Sequence, residues 1–273
     1  MDARFRPQRP IRLFSNYSLS ELSELLEISS GVRPATASDG AYKDDAMVPK
    51  GPWQPLTSGE MSTLFHLTHE WEHHRSVAIL KSGAGLQSLV AKEQLATKDL
   101  QRINFPDVSK AIVSALAEEC EFAPDYVCHG IAVNDPDMLT VSINKAIGML
   151  VGLHVDFWEG MPLAQRHTSG NRISINLGPS PRHIFFVPTT LEDMALLLQS
   201  ERGMQVDLPY LPDIFMRQFA DFPVIRCRLP PGTSYILPTE NMLHDGSTTG
   251  QPVQNRQIVY RGQIRPQYTA LAS

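Results

Sequence analysis

The chain is short of cysteine, of long apolar runs and of clustered positive charge, and each shortage removes a class of protein. Its 273 residues include three cysteines, Cys120, Cys128 and Cys227. An odd count with no Cys-x-x-Cys pair supplies neither a disulfide framework nor a thiolate zinc site. The three are therefore expected as small buried side chains in a reducing compartment. No apolar run approaches the roughly 20 residues that cross a bilayer, and Met1 to Pro10 is polar and basic with no apolar signal core. The expectation is a soluble cytoplasmic protein, with no membrane partner. Lysine and arginine number 24 against 29 acidic residues, and the arginines around Cys227 and after Asn255 come singly. A net charge of −5 without a basic run argues against a nucleic-acid partner.

What the chain does contain changes character near its middle. Ser18-Leu19-Ser20-Glu21 reads as a capping box opening a helix. Gly, Pro, Ala, Ser and Asp then crowd residues 30 to 54, which reads as a long loop. Helical spacing follows over about 57–80, 84–100 and 107–120. From Tyr126 the apolar period shortens to two, giving candidate strands 126–133, 138–143, 147–156, 171–177, 183–188, 224–228, 234–238 and 256–264. Eight short strands suit a barrel or sandwich. Helical patterns over 191–199 and 211–219 form an insertion at 189–222. The fold class expected is mainly β with flanking helices (α+β). One domain covers 1–273, with a mainly helical N-terminal part over 1–125 and a β core over 126–266.

Two segments carry chemistry. In Gly152-Leu153-His154-Val155-Asp156, residues 154 and 156 share a face of any strand, so an imidazole and a carboxylate can converge on one metal ion. The same face carries Gly148 and Gly152, small residues that leave room beside the ligands. A third ligand is offered by His244, which follows a Pro230-Pro231-Gly232 turn and a short apolar strand. Two histidines and a carboxylate on one side of an ion make the facial triad of non-haem Fe(II) oxygenases, with positions left for a cosubstrate and O2. Elsewhere, His69-Glu70-Trp71-Glu72-His73 fits the His-Glu-x-x-His of zinc peptidases. On the expected helix these histidines gather opposite Leu64, Phe65 and Trp71, which reads as a solvated face.

Arg256, with Ile258 and Tyr260, is expected on the apolar, inward side of the last strand, where an unpaired guanidinium requires a carboxylate partner. Arg172, Ser174 and Asn176 alternate with Ile173, Ile175 and Leu177 and could orient a polar ligand, or could form a solvated strand face. Phe157 and Trp158 are read as core packing.

Taken together, His154-x-Asp156, then His244, then Arg256 twelve positions later resemble the Fe(II)/2-oxoglutarate-dependent dioxygenases with a double-stranded β-helix (jelly-roll, cupin-like) core. The resemblance covers about residues 126–266. It implies that His154, Asp156 and His244 hold Fe(II) and are the catalytic metal ligands. It implies that Arg256, or Arg261 if the last strand is shifted by one, binds the distal carboxylate of 2-oxoglutarate, with Arg172 as a further cosubstrate or substrate contact. It also implies hydroxylation or a related oxidation, using O2, of a small polar molecule such as an amino acid or natural-product intermediate. A cupin-like metal enzyme without 2-oxoglutarate would instead pair Arg256 with a protein acid. A zinc peptidase would bring His69 and His73 onto a metal, and a metal-free binding barrel would hold His154 and His244 apart.

Overall fold

Strands buried along their whole length form the middle of the molecule. In the computed structural model, which describes residues 9–67, 70–96 and 105–267, Ser76–Leu80 and Arg182–Phe186 are buried at every position. Two sheets contain the core. The larger runs in the order Phe65–Leu67, Ile11–Ser15, Ser76–Leu80, Ser234–Leu237, Asn171–Asn176, Asn255–Gly262, Val127–Asn134. The smaller runs His244–Ser247, Arg182–Phe186, Val224–Leu229, Leu26–Ser29, Gln54–Pro55. From Val127 onward the chain passes back and forth between them. The 127–134 strand is in the large sheet, and His154 bridges to the small one. The 171–176 strand returns to the large sheet, 182–186 and 224–229 to the small, 234–237 to the large, 244–247 to the small and 255–262 to the large. That winding is a double-stranded β-helix, so the fold class is as expected.

Parity along each strand sorts side chains into three apolar layers. Between the sheets, Ile184, Phe186, Ile225 and Cys227 meet Tyr235 and Leu237. Outside the large sheet, Ile173, Ile175, Ile258 and Tyr260 pack on Leu86 and Val90 of helix Ala84–Ala96 and on Ile112 of helix Phe105–Ala115. Outside the small sheet, Phe185, Val187 and Val224 pack on helices Leu191–Arg202 and Leu211–Gln218. The inserted helices therefore cover a sheet face that would otherwise expose apolar surface.

The N-terminal part departs from expectation. The capping box is present, with Glu21 N donating to Ser18 Oγ at 3.3 Å and Ser18 N to a Glu21 carboxylate oxygen at 2.9 Å. The helix expected over 57–80, however, is only Ser58–Leu64. Strand Phe65–Leu67 follows, and Ser76–Leu80 is a strand in the middle of the large sheet. Residues 30–54 hold the short strands Val32–Pro34 and Met47–Pro49. The N-terminal half thus extends both sheets and is not a helical annex. No helix among the described residues is long and apolar enough to cross a membrane.

Candidate metal centre

His154 and His244 are brought together by backbone pairing. His154 N donates to His244 O at 3.1 Å and His244 N to His154 O at 2.9 Å, an isolated antiparallel bridge. Residues opposite one another in such a bridge project to the same side, and the ring centroids lie 4.7 Å apart. Asp156 is fixed two residues on, its N donating to Thr239 O at 2.8 Å. The expectation that a long strand carries His154 and Asp156 is corrected: Met149–Leu150 is a two-residue strand, and His154 pairs alone. The reason is Gly152, whose φ of +73° turns the chain between them.

One ligand atom from each of His154, Asp156 and His244 lies within 4.8 Å of the others. His154 Nε2 is 3.6 Å and His244 Nε2 3.9 Å from Asp156 carboxylate oxygens. Each imidazole faces a backbone carbonyl with Nδ1, Gly152 O for His154 and Met242 O for His244, both at 3.0 Å. An Nδ1–H donated there leaves Nε2 with its lone pair toward the centre, the tautomer a metal requires. Burial pushes His244 down to about 3, so it is neutral at neutral pH. Burial would raise the Asp156 carboxyl, but Arg172 and the two imidazoles outweigh it and hold it well below the usual carboxylate range. The donor set is thus neutral imidazole, neutral imidazole and carboxylate once His154, held up by Asp156 and Asp245 against the pull of burial, gives up its proton.

Supports surround the three. Arg172 projects from the 171–176 strand, donating to Asp156 Oδ2 at 2.9 Å and lying 3.4 Å from His244 Nε2. Arg166, fully buried, donates to the Asp156 carbonyl at 3.1 Å and pairs with Glu240 at 3.3 Å. Glu240 also accepts from Trp158 N at 2.7 Å and from Arg261 at 3.1 Å. The segment 156–158 is therefore held from below by one buried carboxylate.

A cavity of about 650 Å³ opens on His154 and Asp156. Its charged wall residues are Lys145, Arg172 and Arg261 against Asp156 alone. Ser174, 1% exposed, lies on the inward face with Arg172, so that face of the strand is not solvated. Gln257, Val259 and Arg261 of the last strand also line the cavity. Arg256 stands on the opposite side with Ile258 and Tyr260, which pack against the helices. The expectation that Arg256 faces inward is corrected. The apolar side of this strand is its helix-covered outside, and the cavity side is the polar one. Arg256 makes no ion pair among the described residues, so the carboxylate partner expected of it is not there. Phe157 and Trp158 are 46% and 61% exposed, not core; Trp158 lines the cavity, 4.9 Å from the His129 ring.

Of the zinc-peptidase motif, His69 lies outside the described residues. Glu70 to His73 is not helical, and His73 Nδ1 accepts from Trp71 Nε1 at 3.2 Å.

No protein-family model and no curated protein matches this chain. Solved structures do. The chain is similar to the Kdo hydroxylase KdoO, described as a non-haem Fe(II) alpha-ketoglutarate-dependent dioxygenase. The cobalt(II) complex matches at 15% identity over 70% of this chain and 81% of that one, with a TM-score of 0.37. The complex with succinate and Fe(III) matches at 12% identity over 70% and 80%, TM-score 0.38. The complex with alpha-ketoglutarate and Fe(III) matches at 13% over 70% and 81%, TM-score 0.38.

Proposed function

We propose that this protein is a non-haem Fe(II)/2-oxoglutarate-dependent oxygenase that hydroxylates, or otherwise oxidises, a small polar substrate. The observation that carries the reading is the convergence of two Nε2 atoms and one carboxylate beside a cavity of about 650 Å³ that opens on His154 and Asp156. The donor set fits ferrous iron: two imidazoles and one carboxylate on one side leave the other positions open. The wall fits an anionic cosubstrate, because Lys145 lines it with no ion pair among the described residues, beside Arg172 and Arg261.

Each residue has a definable task. His154 and His244 would hold the ion through Nε2, and Asp156 through a carboxylate oxygen. Arg172 holds the other Asp156 oxygen, which fixes the carboxylate plane, and its side chain lines the cavity. Arg166 and Glu240 keep the 156–158 segment in register with His244. Trp158 and His129 wall the mouth, so that a bound substrate displaces water from above the centre. When bound, the iron and cosubstrate supply the oxidant: 2-oxoglutarate and O2 yield succinate and CO2, and one oxygen atom is delivered to a substrate C–H bond. The protein contributes position and dryness, and the cofactor the reactivity.

The test is anaerobic titration of the purified protein with Fe(II) and 2-oxoglutarate, following the weak visible charge-transfer band of the chelate. The band is expected in wild type and absent in Asp156→Ala. A wild type that binds Fe(II) yet shows no band at saturating 2-oxoglutarate supports instead a metal enzyme of the same barrel that does not use this cosubstrate.

A further inference from the structure

Trp158 is fixed at its backbone and leaves its side chain in water. Its N donates at 2.7 Å to Glu240, a carboxylate that is 0% exposed, while Trp158 itself is 61% exposed. Its place sets it apart from a stray surface aromatic: it stands in the wall of two cavities. The metal cavity of about 650 Å³ is one, and a second of about 370 Å³ adjoins it, with Trp158, His129 and Arg261 lining both. The His129 ring lies 4.9 Å and the Arg261 guanidinium 5.6 Å from the indole. Both cavities are on the scale of ligand sites.

The second cavity has a chemistry of its own. Apart from Trp158 and Val127, the side chains around it are polar, and hydrogen-bond acceptors are in excess. The Asp125 carboxylate is exposed and has no hydrogen-bond or ion-pair partner among the described residues. Glu159 accepts from Gly170 N at 2.9 Å and from Arg261 at 3.1 Å through the same oxygen, which leaves the other free for a ligand. Gln263 donates to Thr168 O at 3.0 Å and keeps its amide oxygen unpaired among the described residues. A ligand for this wall must donate to these acceptors, accept from Arg261 and offer one apolar face to the indole. Hydroxyl groups serve both polar needs, each with one donor and two acceptor lone pairs. A pyranose carries them around its rim and C–H bonds on its face. A flat aromatic ring would cover the indole but strip water from Asp125 without replacing its hydrogen bonds. An ammonium group would suit Asp125 but would meet the like charge of Arg261 already beside the indole.

We propose that the second cavity is a sugar-binding subsite: a polyhydroxylated ring of the substrate packs its C–H face on Trp158, its hydroxyls donate to Asp125 and Gln263, and the rest of the same molecule enters the metal cavity. The inference rests on the oxygenase reading above and names a substrate class within it, a sugar bearing a further group.

The test begins with anaerobic addition of Fe(II) and 2-oxoglutarate to the full-length protein, where the chelate band checks the oxygenase reading by itself. Zn(II) then replaces iron, which prevents turnover and paramagnetic broadening. Saturation-transfer NMR is recorded with the methyl glycosides of glucose, galactose, mannose and N-acetylglucosamine, with maltose and cellobiose, and with choline as a cationic probe. At least one pyranoside is expected to bind, with transfer strongest to the C–H protons of one ring face, and choline is not. Its affinity should fall about tenfold in Trp158→Ala and in Asp125→Ala, the order of one lost aromatic contact or one hydrogen bond to a charged group. Trp158→Tyr should retain most of it. Asp125 is exposed, so its variant keeps the test decisive if Trp158→Ala does not fold. Binding by none of the sugars, an affinity unchanged in both alanine variants, or choline bound in preference overturns the subsite. Sugar binding that depends on Trp158 and Asp125 in a protein with no chelate band supports the subsite and removes the oxygenase reading.

Discussion

Gly152 carries two demands that any side chain would violate. Its φ is +73°, and a Cβ there would lie 2.4 Å from Met47 O. Its carbonyl faces His154 Nδ1 at 3.0 Å. Gly148 shares the positive φ, at +67°, but nothing lies within 4 Å of its would-be Cβ. Gly148→Ala should therefore cost about 1 kcal/mol, the left-handed backbone penalty alone. Gly152→Ala adds a clash with fixed backbone and should cost on the order of 3 kcal/mol. Because the displaced carbonyl also orients an imidazole, Co(II) affinity should fall with stability in Gly152→Ala and not in Gly148→Ala. Denaturant unfolding and cobalt titration of both variants check this, and equal metal affinity would show that Gly152 serves the fold only. The His-x-Asp spacing and the distant His244 were legible because residue type and order suffice to suggest them. The glycines read only as open space: nothing in the sequence says that Met47 lies against Gly152.

Strand Arg182–Phe186 is buried along its whole length, and it includes a histidine that the metal centre does not use. His183 is 8% exposed, and burial first, then Arg226, Arg228 and Arg182, pushes it down to about 4. In the unfolded chain an imidazole titrates near 6.5. The folded state thus disfavours the proton: its contribution is intact above pH 6.5 and is lost as pH falls from there toward 4. The slope is about 1.4 kcal/mol per pH unit, and the total is on the order of 3 kcal/mol. His183→Gln should flatten the acid limb of the stability curve relative to wild type. Urea unfolding at pH 7 and pH 5 measures it, and parallel losses in both proteins would count against the assignment. Strands such as this one were legible because a continuous apolar run bounded by turns has few other readings. The 57–80 helix was not: Ser76-Val77-Ala78-Ile79-Leu80 has no period that separates a buried strand from a buried helix, and only its place between Ile11–Ser15 and Ser234–Leu237 decides. Arg256 fell to the same ambiguity. Parity along the last strand was read correctly, but both faces of a strand in a covered sheet are buried. The apolar face belongs to the helices and the polar one to the cavity.

At the scale of the whole molecule, the first 80 residues supply strands to both sheets of the β core. Strand Ser76–Leu80 pairs with Ser234–Leu237, and Leu26–Ser29 pairs with Val224–Leu229. Ile11, Leu13, Leu22, Leu26, Val77 and Ile79 are each at most 1% exposed and share one cluster with Ile184, Phe186 and Ile225 between the sheets. Each such side chain contributes about 1.5–3 kcal/mol by leaving water. Their loss would strip away a large part of the apolar burial on which a net margin of only roughly 5–15 kcal/mol depends. Removing them would also expose the edges of two central strands, an invitation to aggregate. We therefore propose that the described chain folds as one unit. Full-length protein should unfold in a single transition by circular dichroism and by tryptophan fluorescence. A fragment comprising 126–266 should lack cooperative unfolding, bind a hydrophobic dye and fail to bind Co(II), although it contains His154, Asp156 and His244. A fragment that melts cooperatively and holds the metal would mean that the barrel stands without its N-terminal strands, and the one-unit account would have to be given up.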